Sequence, residues 1–234
     1  MLADTANWHT FVDAFRFIGN NPGLLATKTV EQIELSAAAL GIALAVALPL
    51  GVVLGHLHRG SGLAIGGSIF GRALPSLVLI AAFLPWLGIG FLDNMVALAV
   101  LATGPVLTNA FDAVDRVDRD AVEAARGMGM TELQILRRVE LPLAVPLIFA
   151  GISVAAVTVV ATATIAAIAG GGGLGDIIVN QAGYRLSGVV GASLCVMALS
   201  ALVFLLLRFV QVAVTPRALR ETTVGQISAG KELR

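Results

Sequence analysis

The sequence predicts an all-α integral membrane protein with about five transmembrane helices and a cytoplasmic helical elbow between the third and the fourth. Two observations carry this prediction. Of the 234 residues, 57% are hydrophobic and only 13% are charged, whereas about a quarter of the residues of a soluble domain are charged. The apolar residues also form runs of about twenty, the length that a hydrocarbon core requires. The formal net charge is zero, so nothing in the composition favours nucleic acid as a partner.

The N-terminal segment, residues 1–34, mixes charged and aromatic side chains and has no basic stretch followed by a clean apolar run. We therefore expect no cleaved signal peptide and interpret this part as an extracytoplasmic or interfacial segment. The transmembrane domain is predicted over residues 35–214. Its first span covers residues 35–55, which contain no charged side chain.

The second and third spans are predicted over residues 73–87 and 94–109. A charge at the bilayer centre costs about 2.5–3.5 kcal/mol, so Arg72 is placed before the second span, at the cytoplasmic interface. The turn between the two spans is expected on the outer side and includes Asp93. Only Pro105 and the glycine before it interrupt the third span.

The elbow, about residues 112–142, is the one charged island in this apolar sequence. Asp120 followed by Glu123, and Thr131 followed by Gln134, match the capping-box pattern and predict two short helices. Gly129 lies between them and is the predicted left-handed residue that ends the first helix.

Two prolines follow the elbow and lead into the rest of the membrane domain. Pro142 and Pro146 stand where a new helix can begin, because proline's missing N–H donor is harmless in a first helical turn. The fourth span is predicted over residues 143–169 and the fifth over residues 189–214. A polar tail, residues 215–234, comes last.

The distribution of lysine and arginine predicts the orientation. If the elbow is cytoplasmic, the basic residues of the connecting segments concentrate on its side, and the opposite side holds only Arg16, Lys28 and Arg185. This places the N-terminus outside and the tail in the cytoplasm.

Patterns that would indicate chemistry in the chain itself are weak. Gly170, Gly172 and Gly175 satisfy GxGxxG, but they follow a membrane span rather than a predicted strand. His56 and His58 are two residues apart and would diverge on a helix, which argues against a metal site. We therefore expect no catalytic residue, no metal and no cofactor bound by this chain. If the chain moves a solute uphill, the energy must come from a partner.

The elbow resembles the cytoplasmic loop of the bacterial ABC-importer permeases. That loop reads EAA, three residues, Gly, nine residues, Ile, one residue, Leu-Pro. Here the pattern falls without a gap, with valine for isoleucine as the single departure, on Glu123, Ala124, Ala125, Gly129, Val139, Leu141 and Pro142. The resemblance implies a permease subunit, not an enzyme, whose elbow couples to a separate ATPase subunit that binds ATP and Mg²⁺.

The same resemblance implies the remaining partners. Five spans are too few to enclose a pathway, so a second permease, identical or a paralogue, is expected in the prokaryotic cell (inner) membrane. A separate extracytoplasmic binding protein is expected to deliver the substrate, because this chain carries no fused binding domain.

Segments outside the elbow look like the permeases for glycine betaine, carnitine and choline. They are Pro75-Ser76-Leu77, residues 87–90 and residues 162–176. Methionine importers share a similar GGGGLGD segment, so a permease for methionine or another amino acid stays open as an alternative.

The outer turn is the end of that last segment, and it is a candidate gate formed by Gly172, Gly173, Leu174, Gly175 and Asp176. Asp176 is either the cap of a helix that starts near Ile177 or a weak attractor for a cationic solute. We favour the cap, because aspartate commonly satisfies free amides at a helix start.

Two other classes of membrane protein were compared with the permease. An ion-coupled carrier is expected to keep a membrane-buried acid, and the predicted spans contain none. A membrane enzyme needs a nucleophile and a base that the sequence does not supply.

In the elbow itself, the residue types suggest their roles. Ala124 and Ala125 are expected to let a partner approach the helix backbone closely. Glu123 suits the positive end of the helix dipole and can also accept a bond from a partner. Gly129 is expected to hold the angle of the elbow.

Overall fold

The computed structural model describes residues 2–58, 62, 66 and 75–215. Within these ranges the regular structure is entirely helical. The α-helices in chain order are α1 (Leu2–Asn20), α2 (Pro22–His56), α3 (Ser76–Leu87), α4 (Phe91–Asp115), α5 (Arg119–Gly127), α6 (Glu132–Ile135), α7 (Leu141–Ala166), α8 (Gly175–Val179) and α9 (Gln181–Val214). A π-helical turn, Leu136–Glu140, joins α6 to α7, and a 3₁₀ turn, Ala167–Ala169, follows α7.

Four helical stretches in the described part of the chain are long and apolar enough to cross a membrane, namely Pro22–His56, Phe91–Asp115, Glu132–Ala169 and Gln181–Val214. The predicted second span corresponds to α3, which has 12 residues. Residues 73 and 74, Arg72 and the tail from residue 216 onwards lie outside the described residues.

The first span is part of a longer helix than predicted. Helix α2 has 35 residues and begins at Pro22, because proline is well suited to a first turn. The charged residues Lys28, Glu31 and Glu34, which we assigned to the segment before the span, therefore belong to the same helix. This gives α2 a polar outer end and an apolar shaft.

Small residues let α2 pack closely on α4. The buried face of α2 repeats every four residues through Ala39, Ala43, Ala47, Gly51 and Gly55, a spacing that allows membrane helices to approach each other. A Cβ added at residue 51 would lie 2.7 Å from the backbone oxygen of Leu107, and one at residue 55 would lie 2.8 Å from that of Phe111. Only glycine fits at these two crossings, and they fix the end of α2 beside the elbow.

The predicted interruption of the third span is wrong. Helix α4 runs unbroken through Pro105 for 25 residues. Membrane helices tolerate proline where other groups satisfy the freed backbone, and the side chain of Asn109 donates a 2.8 Å bond to the carbonyl of Pro105.

The prediction that a new helix begins at these prolines is confirmed for Pro142, which lies in the first turn of α7, and is wrong for Pro146. The chain stays helical from Glu132 to Ala169, and Pro146 lies inside α7. Just before Pro142, which cannot donate, the N–H of Leu141 bonds to the carbonyl of Leu136, five residues back. A π turn rather than a break therefore absorbs the proline, and the second arm of the elbow continues directly into the fourth span.

The fifth span is longer than predicted, because α9 begins at Gln181. Its first turn is separated from the rest at Arg185, whose φ of 56° and ψ of 175° are not helical. Helix α1 packs against this region, where the rings of Phe17 and Tyr184 meet edge to face with centroids 6.3 Å apart.

Candidate functional site

The first arm of the elbow is α5, and its cap differs from the predicted one. Asp118, not Asp120, is the N-cap, and its side chain accepts a 3.0 Å bond from the N–H of Asp120. The capping-box interpretation of Asp120 and Glu123 is therefore wrong. Asp118 has a non-helical backbone, as a cap requires, with φ −55° and ψ 120°. The carboxylate of Asp120 lies in the first turn, near the positive end of the helix dipole.

The turn between the arms has the geometry that its glycine predicts. Gly129 has a φ of +80°, which is left-handed. The N–H of Met130 bonds to the carbonyl of Ala125 at 3.2 Å, so the last turn of α5 closes across the glycine. A Cβ at residue 129 would touch nothing within 4 Å. The requirement for glycine there comes from the backbone alone.

The cap of the second arm is confirmed. The N–H of Gln134 donates to Oγ1 of Thr131 at 3.4 Å, and the N–H of Thr131 donates to Oε1 of Gln134 at 2.9 Å. Both bonds of a capping box are therefore present. Arg126 then clamps the two arms together, since its Nε and Nη2 each donate a 3.1 Å bond to the carboxylate of Glu132.

The EAA residues do not share one environment. Glu123 and Ala124 are exposed, but Ala125 is 1% exposed and faces the interior of the chain. The expectation that both alanines face a partner is therefore wrong for Ala125. Its small side chain serves the protein's own packing. The later motif residues Val139, Leu141 and Pro142 are half-buried.

Two apolar side chains on the elbow were missed by the sequence analysis. Met128 is 70% exposed and Leu133 is 56% exposed, one on each side of Gly129. With Glu123 and Ala124 they form the elbow patch. Exposed methionine is common at protein-binding surfaces, but neither Met128 nor Leu133 belongs to the EAA pattern.

A buried pair at the base of the elbow was missed as well. Nδ1 of His56, at the end of α2, lies 2.6 Å from Oε2 of Glu140 in the π turn. Glu140 is 2% exposed. Nε2 of the same imidazole lies 3.7 Å from Oε2 of Glu132 in the second arm. Glu140 occupies the unspecified position of the motif between Val139 and Leu141, so the pattern gave no reason to single it out.

The outer turn lies at the end of the molecule opposite the elbow, and residues near the start of α2 bind it. The N–H of Gly173 donates a 2.8 Å bond to Oε2 of Glu31. Nζ of Lys28 donates to Glu31 at 2.8 Å and to Asp176 at 2.7 Å. These four groups form the outer latch. Gly172 and Gly173 both have left-handed φ angles, 73° and 79°, which turn the chain back towards α2.

The preferred role of Asp176 is wrong. Helix α8 begins at Gly175 and has no side-chain cap, and Asp176 lies inside its first turn. The carboxylate instead forms an ion pair with Lys28, 148 residues away in sequence. Leu174 beside it is fully buried, and it anchors the turn in an apolar cluster with Leu25, Ile177 and Ala192.

Further polar groups are buried near the outer end. Nε2 of Gln32 donates a 2.8 Å bond to the carbonyl of Val160 in α7. Asp93 was predicted in an outer turn but lies in the first turn of α4, fully buried, and neither of its carboxylate oxygens has a hydrogen-bond partner among the described residues. A buried acid of the kind that an ion-coupled carrier needs is therefore present, so its expected absence cannot be used against that class.

Comparison with known proteins decides the class. The family described as "Binding-protein-dependent transport system inner membrane component" matches residues 47–220. The chain belongs to this family. It is a transmembrane permease subunit of a binding-protein-dependent ABC importer, in the inner membrane, and not itself an enzyme. The two alternatives, an ion-coupled carrier and a membrane enzyme, are thereby set aside.

Curated relatives and solved structures agree with this class. The permease is 36% identical over 205 residues to the glycine betaine/carnitine/choline transport system permease protein OpuCB of Bacillus subtilis, covering 87% of this chain and 94% of that one. It is 32% identical to the osmoprotectant import permease protein OsmW of Salmonella typhimurium, covering 89% and 100%. A probable D-methionine transport system permease protein, MetI of Vibrio cholerae, is 36% identical over 70% of this chain and 80% of its own length. An inward-facing MetNI methionine ABC transporter shares the fold, with a TM-score of 0.72 at 23% identity over 84% of this chain and 99% of that one.

Proposed function

We propose that this permease imports a compatible solute, namely glycine betaine, carnitine or choline, and that an ATPase subunit binds the elbow patch to drive the transport. The observation that supports the ATPase contact is the patch itself. Its four side chains lie on two short helices and on the turn between them, and the angle between the helices is fixed by Gly129 and by the ion pair of Arg126 with Glu132. A rigid, partly apolar surface of this kind transmits force from a docked partner.

The substrate class rests on the relatives. OpuCB and OsmW align with this chain over 94% and 100% of their own length, and their names refer to glycine betaine, carnitine and choline or to osmoprotectants. The methionine permease aligns over 80% of its length. Methionine is therefore the second candidate.

High affinity for the solute is assigned to a separate binding protein. Quaternary ammonium groups are held tightly by cages of several aromatic rings. In the described part of the chain, Trp8 and Trp86 are exposed on different helices, and Tyr184 packs on Phe17. We therefore assign to the permease only a weak, transient cavity.

The assembly that we propose has two permeases, identical or paralogous, two ATPase subunits that bind ATP and Mg²⁺, and an extracytoplasmic binding protein. The elbow and the C-terminal tail face the cytoplasm, and α1, the outer latch and the outer turn face outward. This orientation agrees with the distribution of lysine and arginine.

Uptake into proteoliposomes that contain the whole complex tests this function. We expect glycine betaine to accumulate when ATP and the loaded binding protein are supplied, and not when only a proton or sodium gradient is imposed. Equilibrium titration of the permease alone with glycine betaine should show no micromolar site. ATP-driven uptake of methionine without uptake of glycine betaine would move the assignment to the second candidate, and uptake that follows an ion gradient would contradict the proposal.

A further inference from the structure

We propose that His56 and Glu140 are a positioning pair that transmits movement of the elbow to helix α2. This inference rests on the proposed contact between the elbow and an ATPase. The pair is distinct from the elbow patch, because His56 is mostly buried and Glu140 is almost completely buried, so neither offers a surface to a partner. Their role concerns what happens behind the contact.

The bond between the two side chains is short and buried. Oε2 of Glu140 lies 2.6 Å from Nδ1 of His56, and with the carboxylate ionised the imidazole N–H donates to it. Short bonds to an ionised group are about twice as strong as neutral ones. Removing one partner of such a buried bond leaves the other without compensation. The bond therefore holds the end of α2 firmly against the π turn.

The pair lies where the elbow meets the ends of α2 and α7. Glu140 lies in the π turn that joins the second arm of the elbow to α7, and isolated π turns inside helices are frequent at functional sites. His56 is the last residue of α2. The pair thus joins the start of α7, which follows the elbow, to the end of α2. The other end of α2 carries Lys28 and Glu31 of the outer latch.

Apolar packing at the base of the elbow already involves α2, the π turn and α7, and the pair adds a polar connection to it. A cleft of about 360 Å³ separates the first arm from the helix ends, and His56 and Glu140 line it together with Val122, Glu123 and Arg126 of α5. A series of polar contacts nevertheless leads from the first arm, α5, to α2. Arg126 binds Glu132, Glu132 approaches His56, and His56 binds Glu140. His56 is the point at which α2 meets this chain of contacts.

His58 provides a matched control. It is two residues further along, and its Nδ1 lies 2.8 Å from Oδ1 of Asp115. That pair joins the ends of α2 and α4 and involves neither arm of the elbow, α5 or α6. Both of its side chains are far more exposed than Glu140, so its loss is expected to change little.

The experiment uses the complex of permease and ATPase subunits and does not depend on the substrate. A single cysteine replaces the exposed Thr27 at the outer end of α2, in a Cys195→Ser background, and its rate of labelling by a maleimide is measured with and without ATP and vanadate. We expect His56→Ala and Glu140→Ala each to reduce the ATP-dependent change in labelling about fivefold or more. The double variant should be no worse than either single variant.

Two conservative variants separate positioning from simple loss of structure. His56→Gln keeps a side-chain N–H donor and should restore most of the response, whereas His58→Ala should behave like the wild type. Should His56→Ala fail to insert, Glu140→Gln, which leaves a weaker neutral bond, should show a smaller loss in the same direction. A wild-type response in His56→Ala, or an equal loss in His58→Ala, would overturn the inference.

Retention of the ATPase on the purified complex distinguishes this inference from the function on which it rests. We expect wild-type retention in His56→Ala, because the elbow patch is untouched. Loss of retention in that variant would mean that the pair shapes the contact rather than transmitting its movement, and the inference would be wrong. A wild-type permease that binds no ATPase at all would refute the proposed function and this inference with it.

Discussion

The two ends of helix α2 are held in different ways. At the elbow end, one bond of 2.6 Å joins His56 to a carboxylate that is 2% exposed. At the outer end, Lys28, Glu31 and Asp176 form ion pairs of 2.7 and 2.8 Å whose carboxylate side chains are 36–37% exposed. Water competes for exposed pairs and makes them weak, whereas a buried pair is costly to break. We therefore expect the contact at the elbow end to persist when α2 moves and the outer latch to break more readily.

For its two ends to be coupled, α2 must move as one body against α4. We therefore expect the largest loss of stability from a substitution that disrupts the packing of α2 on α4. A Cβ at residue 55 would lie 2.8 Å from the backbone oxygen of Phe111, which cannot swing aside. We expect Gly55→Ala to destabilise the permease by about 1–3 kcal/mol, the usual cost of overpacking. Thermal unfolding in detergent measures it.

Gly41 supplies the control on the same helix, since a Cβ there would touch nothing within 4 Å. Gly41→Ala should unfold at the wild-type temperature or slightly above it, because alanine is the better helix former. Equal unfolding temperatures for the two variants would show that α2 and α4 do not pack as closely as the structure places them.

At the elbow end, the turn between the two arms can be changed by a single substitution. Gly129 has a φ of +80°, and a residue with a Cβ in the left-handed region costs about 1–2 kcal/mol, with β-branched residues the least suited. We expect Gly129→Val to insert normally but to lose most of its ATPase on purification, and ATP-driven uptake with it. The spans should be unaffected.

Gly127→Val is the matched control for the turn. Gly127 lies two residues earlier on the same exposed surface, also with open space around its Cβ position but without a left-handed φ. It should retain the ATPase. If both variants retain it and transport at the wild-type rate, the angle of the elbow does not matter for coupling.

These two regions also differ in how far the sequence could predict them. The capping box of Thr131 and the left-handed Gly129 were predicted correctly because both signals are local, within three residues of the atoms that they serve. The cap at Asp118 was missed because the spacing rule selects Asp120, which has Glu123 three residues later, whereas Asp118 caps α5 without an acidic partner at that spacing. The buried side of Ala125 needed the tertiary structure.

At the outer end, the sequence showed where the turn is but not what holds it. Asp176 was interpreted from its neighbours as a cap, but its partner Lys28 lies 148 residues away. No single-sequence pattern reports such a pairing. The same limit applies to Glu140, whose partner His56 is 84 residues distant, and to the burial of Asp93 in α4. The helices themselves follow from apolar length, but α2 extended into the charged segment because its polar residues are satisfied by the outer turn.

The smallest effect is expected from a neutral substitution in the outer latch. Asp176→Asn keeps the shape of the side chain and one oxygen that Lys28 can bond, but it removes the charge of an ion pair that is partly open to water. Exposed pairs contribute about 1 kcal/mol or less, and Lys28 keeps its second partner, Glu31. We expect the unfolding temperature to change by a degree or two at most. ATP-driven uptake of glycine betaine should stay within about twofold of the wild type, since 1 kcal/mol corresponds to about fivefold in an equilibrium constant and only part of it is lost.

Lys28→Met, which removes both pairs at once, is the reference for a fully broken latch and should raise ATP hydrolysis in the absence of substrate more than Asp176→Asn does. A large loss of uptake in well-folded Asp176→Asn, with Lys28→Met unchanged, would show instead that the carboxylate attracts a cationic solute and that the latch does not restrain the outer turn.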